Sequence, residues 1–394
     1  MNKIRTGISC LCIFMLFLGC GNGDRAGQRT GEEAALEITR VSGTGERASL
    51  AARYAAGFTV THHEGYSELT ILNPYQDYTD TLRYYLVPRD GNIKPNEKSG
   101  QVIEVPINSM IATSTTHLAL VDMLETQSVI KGITQPDYVY DPEIRRRVAS
   151  GAIASFSGGE FNREQALALN PDLVMVSGGQ ASQLDNFRVL LESGINVLVN
   201  TEWLEQTPLG KAEWVKVMGL LLGKENLARK KFQRVEERYL ELKALADRAD
   251  QHPLVMNNLP YKGAWFVPGG NSFTARFLKD AAAEYPWYEN SSTGGLRVDF
   301  ETVYAVGLRA DIWINPGNAR TKEDLLAADP RFSDFKSFKT GRIFNNNKRM
   351  SPSGGNDFWE SGVVHPEIIL ADLIRIMHPE LLPEHQLFYY QQVE

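Results

Sequence analysis

The sequence predicts an α/β protein of two lobes with mostly parallel sheets, joined by a single long α-helix, with a ligand cleft between the lobes. Three observations carry this. Residues 224–250 form one helical stretch without Gly or Pro. Strands alternate with helical stretches on both sides of it, the pattern of parallel sheets. A similar segment occurs once before that stretch and once after it, at 161–178 and 298–317.

The chain has 394 residues, enough for two full cores. Apolar content of 43% and charged content of 23% are those of a soluble globular protein. A net charge of −7 lacks the basic face of a nucleic-acid binder, so no nucleic-acid partner is expected.

Lys3 and Arg5 precede an apolar run, Ile8 to Leu18, that is too short to span a membrane permanently. The run ends in Phe17-Leu18-Gly19-Cys20, which resembles the lipobox of bacterial lipoproteins, with Phe17 where Leu is usual. The resemblance implies a signal peptide over 1–20, acylation of Cys20 and anchoring at a cell membrane facing the periplasm. An ordinary secretory signal cut elsewhere is the alternative. The only other cysteines are Cys10 and Cys12. The mature domain is therefore expected to hold no disulfide, no cysteine metal site and no cysteine nucleophile. Residues 21–35, Gly-rich and polar, read as a flexible tether.

The domain then divides into an N-terminal lobe at 36–205, connecting helices at 206–250 and a C-terminal lobe at 251–394. FTVTHH, SELTILN and TLRYYLV read as a β meander that extends the first lobe's sheet. VIEVPI is a strand that runs into a Ser/Thr turn and a helix capped by Thr115 or Thr116. SVIKGIT, LVMVSGG and NVLVNT complete the lobe's strands. After the long helix come PLVMNN and GAWFVPG, read as a hairpin pair, then the helix NSFTARFLKDAAA. DIWINPG and RIFNNN follow as strands, and PEIILADLIRIM is a helix opened by Pro.

In the long stretch the apolar residues Ala228, Phe232, Val235, Tyr239, Leu242 and Ala246 recur in steps of four and three, one buried stripe. Three heptads also fit a coiled coil. The α/β pattern on both sides favours a stiff spine. The two repeated segments each open with an Asx cap, Asn162 or Asp299. Each has a first-turn Glu, Glu164 or Glu301, and each ends in Asp172 or Asp311 before a buried strand.

Over roughly residues 100–380 these features resemble the iron-complex and cobalamin substrate-binding proteins of ABC importers, which have two Rossmann-like α/β lobes and one rigid helix. The resemblance implies a monomeric, non-enzymatic carrier that hands a metal chelate to a permease dimer and its ATPase. It implies that Glu164 and Glu301 dock onto permease arginines. Complementing the helix dipoles is their structural alternative.

Ligands in open α/β sheets sit beyond the carboxyl ends of the strands. Those loops hold Thr115, His117, Tyr138 and Trp203 in the first lobe, and Trp265, Trp287, Asn318 and Trp359 in the second. These are the candidate ligand-binding residues. Aromatic side chains suit a large flat or apolar chelate, whereas Trp214 and Trp313 read as core. No metal is expected to be held directly, because the seven His show no ligand spacing. Arg297, Lys348 and Arg349 are candidates for an anionic group on the ligand. The ligand is read as an iron-siderophore, with haem or cobalamin as alternatives. A two-lobed chelatase-like enzyme is the competing class. No cofactor is expected, and no G-x-S-x-G, Walker or HExxH motif is present.

Overall fold

The computed structural model describes residues 52–74, 81–91, 100–156, 161–178 and 187–394. Cys20, the signal peptide, the tether and the loop residues Gly179 and Gln180 lie outside the described residues. The meander is β1 (Phe58–His63), β2 (Tyr66–Leu72), β3 (Thr81–Pro88) and β4 (Gln101–Val105). It forms a sheet of its own, in the order β1-β2-β3-β4, and does not extend the next one as expected. The junction is made by side chains. The Gln101 amide donates to Val197 O and accepts from Val197 N, both at 2.9 Å, and the Tyr84 hydroxyl accepts from Val199 N. Polar side chains thus occupy the bare edge of the neighbouring sheet, where another strand would otherwise pair.

The first lobe runs β5 (Met110–Ala112), α1 (Thr115–Met123), β6 (Ile130–Thr134), α2 (Pro142–Ala149), β7 (Ala154–Phe156), α3 (Arg163–Leu169), β8 (Leu173–Ser177), α4 (Arg188–Glu192) and β9 (Asn196–Asn200). Its five strands are all parallel, in the order β7-β6-β5-β8-β9. The cap of α1 is Ser114, whose hydroxyl accepts from Thr116 N, and neither Thr115 nor Thr116 takes that role. Two short helices, α5 (Pro208–Glu213) and α6 (Val215–Leu221), lead into the spine α7 (Glu225–Ala246).

The second lobe contains β10 (Val255–Asn257), β11 (Pro260–Tyr261), β12 (Ala264–Pro268), α8 (Phe273–Asp280), β13 (Gly295–Val298), α9 (Phe300–Gly307), β14 (Ile312–Ile314), α10 (Lys322–Ala328), α11 (Lys336–Thr340), β15 (Ile343–Asn345), α12 (Pro366–Met377) and β16 (Gln391–Gln392). β10, β14 and β15 pair in parallel and β16 closes the edge antiparallel. The expected hairpin of β10 with β12 is not made. β12 lies between β11 and β13 in a small antiparallel sheet.

α7 has 22 residues, so it spans about 33 Å. Its buried side chains are the six of the predicted stripe plus Glu236. It packs on α6 and on α12, one from each side of the connection. Its burial belongs to one continuous core that runs from Phe58 through Met110, Phe232 and Ile312 to Tyr390. Each sheet turns its other face onto a satellite core, around Val174 and Val197 in the first lobe and around Trp265 and Trp313 in the second. Two lobes that share a core cannot hinge freely, because opening would expose apolar surface at about 25 cal/mol per Å².

The repeated segments do equivalent work. Asn162 and Asp299 cap α3 and α9, accepting from Gln165 N and Thr302 N. Asp172 accepts from Asn108 N and Ser109 N, just ahead of β5, and Asp311 accepts from Leu254 N, just ahead of β10. Each aspartate thereby pins the start of the strand beside its own.

The chain enters the fold under a clamp of carboxylates. Glu213 accepts the N–H groups of Arg53, Tyr54 and Ala55 at 2.7–3.0 Å. Glu205 accepts those of Ala56 and Gly57 at 2.9 Å. Glu236, on the spine, takes the Tyr54 hydroxyl and the Arg53 guanidinium, each at 2.6 Å.

Candidate functional site

The loops after the parallel strands of both lobes meet along a seam. From the first lobe come the turn Pro136–Tyr138 and residues Tyr140 and Asp141, where Asp141 caps α2. From the second come residues 349–360, which follow β15. Glu360 reaches across: one carboxylate oxygen accepts from Tyr140 N at 2.8 Å and the other from Asp141 N at 3.0 Å. Ser353 Oγ donates to Asp137 O at 2.8 Å. Gly355 lies so close that a Cβ there would stand 2.5 Å from Tyr138 O.

Arg349 reaches across the seam. Its Nε donates to Asp357 at 2.5 Å, and its guanidinium sits over the Tyr140 ring at 4.9 Å and the Phe388 ring at 4.2 Å. The two rings and Asp357 fix its plane. The remaining N–H groups keep the fork geometry that suits a carboxylate or a chelate oxygen. Tyr138 and Trp359, on the two loops of the seam, are 62% and 52% exposed. Glu360 is buried, and that burial pushes its carboxyl up to about 7 against the two backbone bonds that favour the charge.

A second polar group lies where β5 and β9 end. The Ser114 and Thr116 hydroxyls are 2.9 Å apart. Thr116 hydrogen-bonds Glu202, whose carboxyl burial pushes up. Lys211, on α5, is pushed down by burial beside Glu202 and Glu205, and its Nζ lies 4.2 Å from the ring centre of Phe273 in the second lobe.

Each expected ligand residue can now be placed. Tyr138 and Trp359 lie on the seam. Thr115 is half-buried in the first turn of α1. Trp203 is partly exposed, and its indole N–H donates to Gly178 O at 2.6 Å. Asn318 is exposed on the turn after β14, and Trp287 is half-buried against both of the second lobe's cores.

Two expectations are corrected. Trp265 is fully buried at the centre of a ring cluster with Phe300, Trp313, Phe332 and Phe335, so it has no surface for a ligand. Its strand pairs with β13, and that pairing turns residue 265 inward and Phe266 outward. His117 is also fully buried, on the packing face of α1 with Leu118 and Val121, and burial lowers it to about 3, keeping it neutral. Trp214 and Trp313 are core, as expected.

Glu164 and Glu301 are exposed in the first turns of α3 and α9. Lys348 is held by Leu387 O, and Arg297 is exposed on β13 opposite Phe266. His62 and His63 go separate ways, to Ser67 and to Glu68. Among the described residues no group of His, Cys, Asp and Glu is placed to hold a bare metal ion. Sequence reading missed Glu202, Lys211 and the clamp at Glu205 and Glu213. For Glu202 and Glu205, charged residues just after β9 were the available signal.

The close approach at Gly355 is testable. Gly355→Ala should force the 351–357 loop away from Tyr138, costing about 1–3 kcal/mol. The melting temperature should fall, and cross-links between the two loops should be lost. A melt and a cross-link yield like the wild type's would mean that the seam is looser than this packing.

Two α/β lobes on a shared core, with their strand-end loops meeting at an aromatic seam, define a two-lobed solute-binding protein. The chain belongs to the periplasmic binding protein family, whose match spans residues 122–349. It is accordingly a carrier and not an enzyme. An uncharacterized lipoprotein of Methanocaldococcus jannaschii is 26% identical over 71% of this chain and 67% of its own length. A second lipoprotein of that organism is 23% identical over 97% of both chains. Among solved structures, Helicobacter pylori CeuE with Ni(II) bound has a TM-score of 0.55 at 18% identity, covering 75% of this chain and 91% of its own. A periplasmic heme binding protein from Pseudomonas aeruginosa has a TM-score of 0.54 at 16% identity, covering 73% of this chain and 98% of its own. At these identities the structures establish the fold.

Proposed function

We propose that this chain is the substrate-binding component of an ABC importer. It captures a metal chelate, a ferric siderophore or a similar iron complex, at the seam and delivers it to a permease dimer. The supporting observation is that the two loops of the seam carry the exposed aromatics Tyr138 and Trp359 together with an Arg349 that two further rings and Asp357 hold in plane. Such a surface offers stacking area and a fork for a negatively charged chelate. A donor set for a naked ion is not gathered there, so the metal would arrive already chelated, as cargo. Haem and cobalamin fit the same role and are the alternative ligands. The chain would be held near the permease by the acyl group on Cys20, on the periplasmic side.

The test is a titration of the ligand-free protein with ferric siderophores, haem and cobalamin, followed by tryptophan quenching and by the chelate's absorption. Trp359→Ala should weaken binding of the accepted chelate by about 1–3 kcal/mol, roughly fivefold to 150-fold. Saturable binding of bare iron with no response to any chelate would overturn the reading.

A further inference from the structure

We propose that the second lobe holds a separate site for a small anion with two or more carboxylate or phosphate groups, in the cavity where α7 and α12 end. This goes beyond the transport reading and does not depend on which chelate the seam takes.

The cavity measures about 950 Å³, the size of a small-molecule site. It lies at the amino ends of β10, β14 and β15, whereas the seam is built from loops at carboxyl ends of strands. Three arginines line it, each from a different element. Arg248 follows the last turn of α7, Arg342 stands just ahead of β15, and Arg375 is in the last turn of α12. None of the three forms an ion pair among the described residues. Guanidiniums gathered around one cavity without a counter-charge repel one another, and an anion between them would relieve that.

Two of the three are fixed. Arg342 donates an N–H to Ile376 O at 3.0 Å, and Arg375 donates one to Pro379 O at 2.7 Å. Both side chains belong to half-buried residues. The carbonyls lie at the open end of α12, where the helix dipole would by itself repel an anion. The two arginines meet that partial charge and keep further N–H groups in the fork that a carboxylate or phosphate accepts. Arg248 is exposed, and its side chain makes no hydrogen bond among the described residues.

The acids around the cavity do not cancel this charge. Asp311 spends one oxygen on Lys336 and the other on Leu254 N. Asp250 and Glu380 are exposed and pair with none of the arginines. With the histidines neutral and Lys336 counted beside its partner, the wall carries one net positive charge. An anion with two charged groups fits better than one with a single group, because the arginines come from three elements and the space exceeds one phosphate. Capping α12 is the purely structural role of Arg342 and Arg375, and it gives Arg248 nothing to do. Arg248 therefore carries the test.

The full chain, free of chelate, is titrated calorimetrically with pyrophosphate and with citrate, with inorganic phosphate and acetate as single-group controls. One-to-one binding of pyrophosphate or citrate is expected, tighter than that of its control, and the stronger arm separates a phosphate ligand from a carboxylate one. Affinity should fall as sodium chloride is raised. Arg248→Gln should weaken it by roughly tenfold or more, while the melting temperature without anion stays that of the wild type. No saturable binding of either anion, or equal affinity in Arg248→Gln, overturns the site. A signal lost in Arg349→Gln and kept in Arg248→Gln places the anion at the seam and overturns it too.

Discussion

Trp265→Ala is expected to lower the unfolding free energy by about 3–5 kcal/mol while leaving the ligand affinity of the folded protein intact. The indole is 0% exposed, and its N–H donates to Asn257 O at 2.9 Å. Phe300, Trp313, Phe332 and Phe335 surround it with ring centres 5.8–6.5 Å away. Those rings are anchored on α9, β14 and the turns around residues 330–335, so they cannot collapse into the space left behind. The truncation also strands a buried carbonyl. Denaturant unfolding gives the stability loss, and a chelate titration under native conditions gives the affinity. Lost affinity at wild-type stability would show that the ring faces ligand after all.

The double reversal Glu164→Arg with Glu301→Arg is expected to abolish uptake in cells. Both carboxylates are exposed in the first turn of a capped helix, one in each lobe. Their helices are held by Asn162 and Asp299, so folding should change little. A permease presenting arginines at two positions would grip both lobes together, and reversed rim charges would repel it. Single reversals should be milder. Normal uptake by the double variant would end the docking assignment. Loss of chelate binding in vitro would move the two residues into the binding surface. Glu301 has Arg331 nearby, stacked on Phe300, so its reversal should also be checked by thermal melting.

What was legible in the sequence was what local periodicity encodes. The spine's six buried positions follow from steps of three and four along one helix, and no distant partner decides them. The repeated Asx-x-Glu openings were legible because a cap bonds within its own first turn. Trp265 was not, because the face of a strand residue is set by pairing. β13 supplies that pairing, and its sequence, GLRV, alternates but is only four residues long, too short to announce a strand. His117 failed for a similar reason: a helix nine residues long has too few turns for its buried side to stand out. Of the residues named from the strand-end loops, Tyr138 and Trp359 lie on the seam and are exposed. The bonds of Glu360 join positions 220 residues apart, which no local pattern can reveal.

The clamp on residues 53–57 decides how a mechanical load enters the molecule. A pull on the chain ahead of Arg53 reaches Glu213 at the end of α5 and Glu236 on α7 before it reaches either sheet. Both carboxylates stand on the helices that join the lobes. Tension is thus delivered first to the helices that join the lobes. A load entering there would be shared between the lobes before it could act on either one alone.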